Sequence, residues 1–135
     1  MPMDKALSYM ALARKAGRIE LGEEPVGKAA QVGKASLILV AADAADHTWR
    51  RAQSFVSGSD QKCIRVDFTK DQLGQTIGRE ALALAAFTDP AMALAFAKSL
   101  EQDYTEVIAA LELAVKQSRP AKPGKRKGRS RPAAK

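Results

Sequence analysis

Cysteine and histidine are almost missing from this chain of 135 residues, which carries one of each, Cys63 and His47. A single cysteine excludes an internal disulfide, and with one histidine there is no ligand set for a structural zinc site. A reducing cytoplasm is the compartment that fits such a sequence. Cys63 reads as a small core residue on a strand. His47 follows Asp46 at a helix start, where a neutral surface imidazole is the ordinary state, and no serine or cysteine nucleophile stands at a recognisable spacing from it. Aromatic side chains make up only 5% of the residues. Trp49, at helical spacing from Ala52 and Val56, is core before it is a platform for stacked bases.

Long apolar runs are absent too. None approaches the ~20 residues that span a bilayer, and Asp4, Lys5, Arg14 and Lys15 break up the apolar residues of the N-terminus, so neither a membrane anchor nor a signal peptide is expected. Gly74 and Gly78 lack the remaining glycines of a dinucleotide-binding loop and precede a short strand, not a helix. The sequence thus offers no catalytic residue, no metal site and no cofactor site, and the expectation is a protein that is not an enzyme.

Acidic residues are missing from the C-terminal end. Residues 116–135 hold nine of the 22 Lys and Arg and none of the 15 Asp and Glu, so residues 1–115, with 13 cations and 15 anions, carry −2. The net charge of +7 and the pI near 9.8 therefore describe an appendage. A basic chain suggests nucleic acid as partner, but a basic patch on the body has to come from clustering rather than excess. Residues 117–135, rich in Lys, Arg, Pro, Gly, Ser and Ala without apolar periodicity, are expected to be a disordered basic tail. Its Lys125, Arg126, Lys127, Arg129 and Arg131 read equally as a sequence-blind RNA grip through counterion release and as a solvated tail with no fixed partner. No aromatic residue stands among them to stack a base.

What is present suffices for one ordinary domain, since 46% of the residues are hydrophobic. Leu7, Met10 and Ala11 give helical spacing over about residues 4–16, and Val26, Ala29 and Ala30 give it over about 25–32, up to Gly33. Ser36 to Ala41 is a short apolar run suited to a strand covered on both faces, and Ala83 to Phe87 is another. Trp49, Ala52 and Val56 mark a helix over 46–56, Cys63 to Phe68 alternates as a strand, and Leu73 and Ile77 lie one turn apart on the helix after it. Asp89 and Pro90 open a helix on which Met92, Phe96 and Leu100 share a face. Helices alternating with apolar strands predict an α/β fold with a central sheet between helices. Tyr104, Val107, Ile108, Leu111 and Val115 form one more amphipathic stripe over 101–116, an extra C-terminal helix that packs on the body or serves as a partner surface.

The stretch Ala13 to Lys28 joins two structural features to one chemical feature. Gly17 stands where a C-terminal cap belongs, with Arg14, Lys15 and Arg18 in the last turn or just beyond it. Pro25 fits the first position of the next helix, which makes Glu24 the cap and turns the backbone amides of residues 25–27 outward near Lys28. Such a helix start attracts phosphate. A solvated basic face that complements the helix dipole is the plainer explanation of the same residues.

Ala13-Arg14-Lys15-x-Gly17-Arg18-Ile19-x-x-Gly22, followed by Lys28-Ala29-Ala30-x-x-Gly33, resembles the kink-turn RNA-binding ribosomal-protein superfamily of the L-seven-Ae type, most of all its small bacterial YlxQ-type members. Leu37 to Val40 with Ala41-Ala42-Asp43-Ala44, then Leu73-Gly74-x-x-Ile77-Gly78-Arg79-Glu80-Ala81, then Ala83 to Asp89 match in the same order and spacing. The likeness covers about residues 6–100 and implies one RNA-binding domain over 1–100, folded as a three-layer α/β/α sandwich with a small central mixed sheet. It places Arg14, Lys15, Arg18 and Lys28 on the RNA backbone, Gly22 where the chain approaches it closely, and Glu23 and Glu24 beside the base edges. Where the archetype has Asn then Glu, this chain has Glu24 and Pro25. A carboxylate still accepts hydrogen bonds from a guanine edge, whereas proline offers no polar side chain. Arg79, Glu80 and Ala81 match the second RNA-contacting loop, with Arg79 in place of an aliphatic residue.

The function this implies is recognition of a kinked or internally looped RNA, ribosomal or translation-linked, by a cytoplasmic monomer that belongs to a ribonucleoprotein or to the ribosome with its proteins. Two other functions remain open. Folds of this superfamily also serve as protein-interaction modules, which the near-neutral body and Pro25 favour, and related domains occur as RNA-binding parts of methyltransferases. A second domain and an acid–base pair, which the latter would need, are not found in the sequence.

Overall fold

The computed structural model describes residues 4–100 and 104–118, and within them the apolar runs and helical periodicities form an α/β fold. The elements are α1 (Lys5–Ala16), β1 (Ile19–Leu21), α2 (Glu23–Gln31), β2 (Leu37–Val40), α3 (Asp46–Val56), β3 (Lys62–Arg65), α4 (Lys70–Thr76), β4 (Leu84–Phe87), α5 (Pro90–Ser99) and α6 (Thr105–Ser118). The start of the extra helix expected at 101–103 and the basic tail from residue 119 onward lie outside the described residues.

The strands form one mixed sheet in the order β1-β4-β2-β3. β2 runs parallel to β3, while β4 is antiparallel to both β1 and β2. β2 and β4, the inner strands, are buried at every position, as unbroken apolar runs covered on both faces must be. On one side α2 and α3 pack together against the sheet, and on the other α1 and α5 do so with α4 packed on α1, which makes the three-layer sandwich. Phe87 of β4 and Phe96 of α5 are fully buried with ring centroids 5.1 Å apart. Met10, Leu37, Ile38, Leu39 and Leu73 complete the centre of the core.

The helix ends follow their local chemistry. Asp4 accepts a hydrogen bond from the Ala6 amide at 2.9 Å to start α1, and Gly17 closes that helix in the left-handed conformation at φ 70°. Thr69 and Gln72 form a reciprocal capping box on α4, the Thr69 hydroxyl accepting from the Gln72 amide and the Gln72 side chain from the Thr69 amide. α6 buries Leu111, which is 2% exposed, and packs along α5. The Tyr104 hydroxyl, just before α6, donates to the Arg65 carbonyl at 3.1 Å. Burial and, second, the charge of Asp67 push the Tyr104 phenol upward, so it stays protonated and able to donate.

Several sequence expectations change. The strand expected over Cys63 to Phe68 runs over Lys62–Arg65, and the helix expected over 101–116 is Thr105–Ser118. A strand at Ile19–Leu21 was not expected; three residues are too few to show a period, and β1 exists because it pairs with β4. α2 begins at Glu23 rather than Pro25, and its cap is Gly22 rather than Glu24. Gly22 has φ 95° and ψ 163°, a conformation that glycine alone adopts cheaply, so the chain turns into the helix two residues early. Pro25 therefore occupies the third helical position, where its missing N–H leaves no intrahelical bond unmade.

Candidate functional site

Three strand ends and the loops attached to them meet along one rim of the sheet. The Gly22 amide donates to the Leu84 carbonyl at 2.9 Å, which holds the start of α2 against the start of β4. The Ala41 amide donates to Ala83 at 2.9 Å, so the loop after β2 is fastened beside the same strand end. Residues 78–82 lead into β4 and lie on α4, with the Arg79 amide bonded to the Gly74 carbonyl at 2.8 Å and the Leu82 amide to the Lys70 carbonyl at 2.9 Å. Gly74 permits this contact, because a Cβ there would meet the Ala81 Cα at 2.6 Å. Asp43 accepts from the Lys70 amide at 2.8 Å and joins the loop after β2 to α4.

The start of α2 and residues 78–82, more than fifty positions apart in sequence, thus flank one strand end. Glu23, Glu24, Arg79, Glu80 and Ala81 are all exposed there. The open amides differ from those expected at 25–27. Pro25 has no N–H and the Val26 amide is bonded to the Gly22 carbonyl at 3.1 Å, which leaves the amides of Glu23 and Glu24 at the helix start.

Apart from Arg79, which is on the rim, the cations near this site are arranged along the flanks of α2. Arg18, Lys28 and Lys34, with Glu20 and Glu24, line an open groove of about 800 Å³ beside β1. A second open groove, about 550 Å³, lies between α2 and α3 and is lined by Glu23, Glu24, Gly27, Lys28, Gln31, Arg51 and Phe55. Lys28 borders both. Its ammonium is 3.4 Å from Glu24, one turn away on the same helix face, and the Arg51 Nε is 3.2 Å from Glu23. Both pairs are largely exposed, so each contributes only ~0.3–0.5 kcal/mol and yields readily to a competing anion.

Of the residues singled out in the sequence, Gly22, Glu23, Glu24, Arg79, Glu80 and Ala81 come together at the rim. Arg14, Lys15 and Arg18 do not: they are exposed near the other end of β1, where the Arg18 carbonyl accepts from Thr88. Four residues of extended chain put Arg18 roughly 13 Å from Gly22. Arg18 nevertheless shares the first groove with Lys28. The tail residues Lys125, Arg126, Lys127, Arg129 and Arg131 lie outside the described residues. Sequence reasoning missed Lys34 and Arg51. Lys34 follows the glycine that ends α2, a place that carries no motif. For Arg51 the one available signal was Phe55 a helical turn later, a pairing in which the guanidinium stacks 5.4 Å above the ring.

Burial pushes the Cys63 thiol upward, which makes it a poor nucleophile. Among the described residues no group of three or more His, Cys, Asp or Glu is placed to hold a metal ion, and no helix is long and apolar enough to cross a membrane.

No family model matches the chain, and no curated protein does. Solved structures do. A protein of unknown function from Bacillus halodurans is 26% identical, with a TM-score of 0.68 over 74% of this chain and 100% of that one. The Giardia lamblia 15.5 kD RNA binding protein is 18% identical, with a TM-score of 0.60 over 81% of this chain and 86% of its own. The second likeness is one of fold.

Proposed function

We propose that this protein binds structured RNA that is kinked or internally looped, ribosomal or translation-linked, as a member of the kink-turn-binding superfamily of the YlxQ type and without catalytic activity. The observation that carries the reading is the Gly22–Leu84 hydrogen bond, since it puts the start of α2 and the loop 78–82 beside one strand end. The fold likeness to an RNA binding protein from Giardia lamblia supports it. In this reading the two open amides at Glu23 and Glu24 and the flanking cations meet the backbone, Glu24 accepts a hydrogen bond from a guanine edge, and Arg79, Glu80 and Ala81 cradle an extruded nucleotide. Recognition is by shape first and by base second, because the deep, narrow major groove of A-form RNA admits side chains only where the helix is interrupted.

The competing reading is a protein-interaction module of a ribosome-associated complex. The pairing of Lys28 and Arg51 with carboxylates favours it, since no cation of α2 or α3 in these grooves stands clear of an acid. A filter-binding titration with a generic kink-turn RNA and an unkinked duplex of equal length separates the two. The RNA reading expects tighter binding of the kinked RNA at every salt concentration; equal affinities would mean charge attraction alone and would refute it.

A further inference from the structure

The groove between α2 and α3 holds a cation that neither the sequence motif nor the rim accounts for. We propose that Arg51 of α3 is a further RNA-binding residue, a phosphate contact on the flank of α2 opposite Arg18 and Lys34. The proposal rests on the RNA-binding reading above.

Three features of its surroundings converge. The guanidinium is stacked 5.4 Å above the Phe55 ring, one helical turn further along α3. Phe55 is in turn seated against α2, with ring atoms 3.0 and 3.1 Å from where a Cβ on Gly27 would stand. Arg51 is therefore positioned relative to the helix that starts at the rim, whereas Lys28 is held by a flexible stem and an exposed ion pair with Glu24. The salt bridge to Glu23 has its contact at Nε, 3.2 Å, and among the described residues the Nη groups make no hydrogen bond. Those Nη groups form the planar fork that grips two oxygens of a phosphate at once. Finally, the side chains of Arg51 and Glu23 are 58% and 48% exposed, so an incoming strand reaches the guanidinium without any core residue moving. With Lys28 bordering both grooves, α2 forms a ridge with cations on either side, a geometry suited to two backbone strands rather than one.

The test uses the full chain in filter-binding titrations with a kink-turn RNA and an unkinked duplex over a range of salt. Arg51→Ala should weaken binding of the kinked RNA about tenfold, as loss of one charge-assisted contact does. It should also reduce the steepness of log K against log salt by about 1. Arg51→Lys should restore the steepness but only part of the affinity, because the ammonium lacks the fork. Circular dichroism checks that each variant is folded. If Arg51→Ala keeps wild-type affinity and steepness while the wild type still prefers the kinked RNA, this inference is overturned and the reading of the rim stands. If Arg51→Lys fails to restore the steepness, Arg51 does not act through its charge on a phosphate, and the proposal is equally wrong. Equal binding of both RNAs by the wild type would defeat the parent reading and this one with it.

Discussion

Gly74 shows how much of the rim depends on one missing side chain. It lies inside α4, where alanine would gain ~1 kcal/mol of helix propensity. Against that stands a contact of 2.6 Å between the new Cβ and the backbone of Ala81, which cannot rotate away. Overpacking of this kind costs roughly 1–3 kcal/mol. Gly74→Ala should therefore lower stability by up to about 2 kcal/mol, read from the urea midpoint, and displace residues 78–82, read as weaker RNA binding. In the proposed function, Glu24 is the residue on which base reading rests. Its carboxylate is 82% exposed and held only by Lys28, so it is free to exchange that partner for a guanine donor. Glu24→Ala should weaken binding of a kinked RNA about fivefold to tenfold at matched salt, the effect of one hydrogen bond to a charged group. Affinity equal to the wild type would remove Glu24 from the interface.

Among the elements, α2 is where local chemistry and context disagree. Pro25 suits the first position of a helix, and sequence reasoning placed it there. The backbone of Gly22, pinned to Leu84, starts the helix two residues sooner, and proline is tolerated at the third position because no amide is needed there. The practical result is fewer open amides, with more of any phosphate binding left to cations. α6 presents the opposite case, a helix that its apolar stripe announced but whose seat the stripe did not specify. Leu111 is its buried anchor, and Leu113, on another face, is 56% exposed. Leu111→Ala should cost about 2–4 kcal/mol in urea unfolding, whereas Leu113→Ala should stay within about 0.5 kcal/mol. Equal effects would mean that α6 does not dock on α5 as described.

At the scale of the whole molecule, charge and shape are separated. The tail carries the net positive charge and the body, near neutrality, carries the rim. If the tail engages about four phosphates, removing residues 117–135 should flatten the salt dependence by about 3 in log–log slope while leaving the preference for kinked over unkinked RNA intact. An unchanged slope would exclude the tail as a grip. The inner strands, the helices that cover them and the Gly17 cap were legible in the sequence because each is written locally, as an unbroken apolar run, a helical period or a terminator. β1 and the true start of α2 were not, because three residues carry no period and a glycine's conformation is chosen by its hydrogen-bonding partner. The sequence by itself thus determined the α/β layering and the charge carried by the tail, since period and composition are properties of the chain. Only the tertiary structure decided that Gly22 and residues 78–82 share a rim, that Arg14 and Lys15 stand away from it, and that Arg51 joins α2. Those placements depend on strand order and on a 2.9 Å hydrogen bond between residues 62 positions apart, for which no local pattern exists.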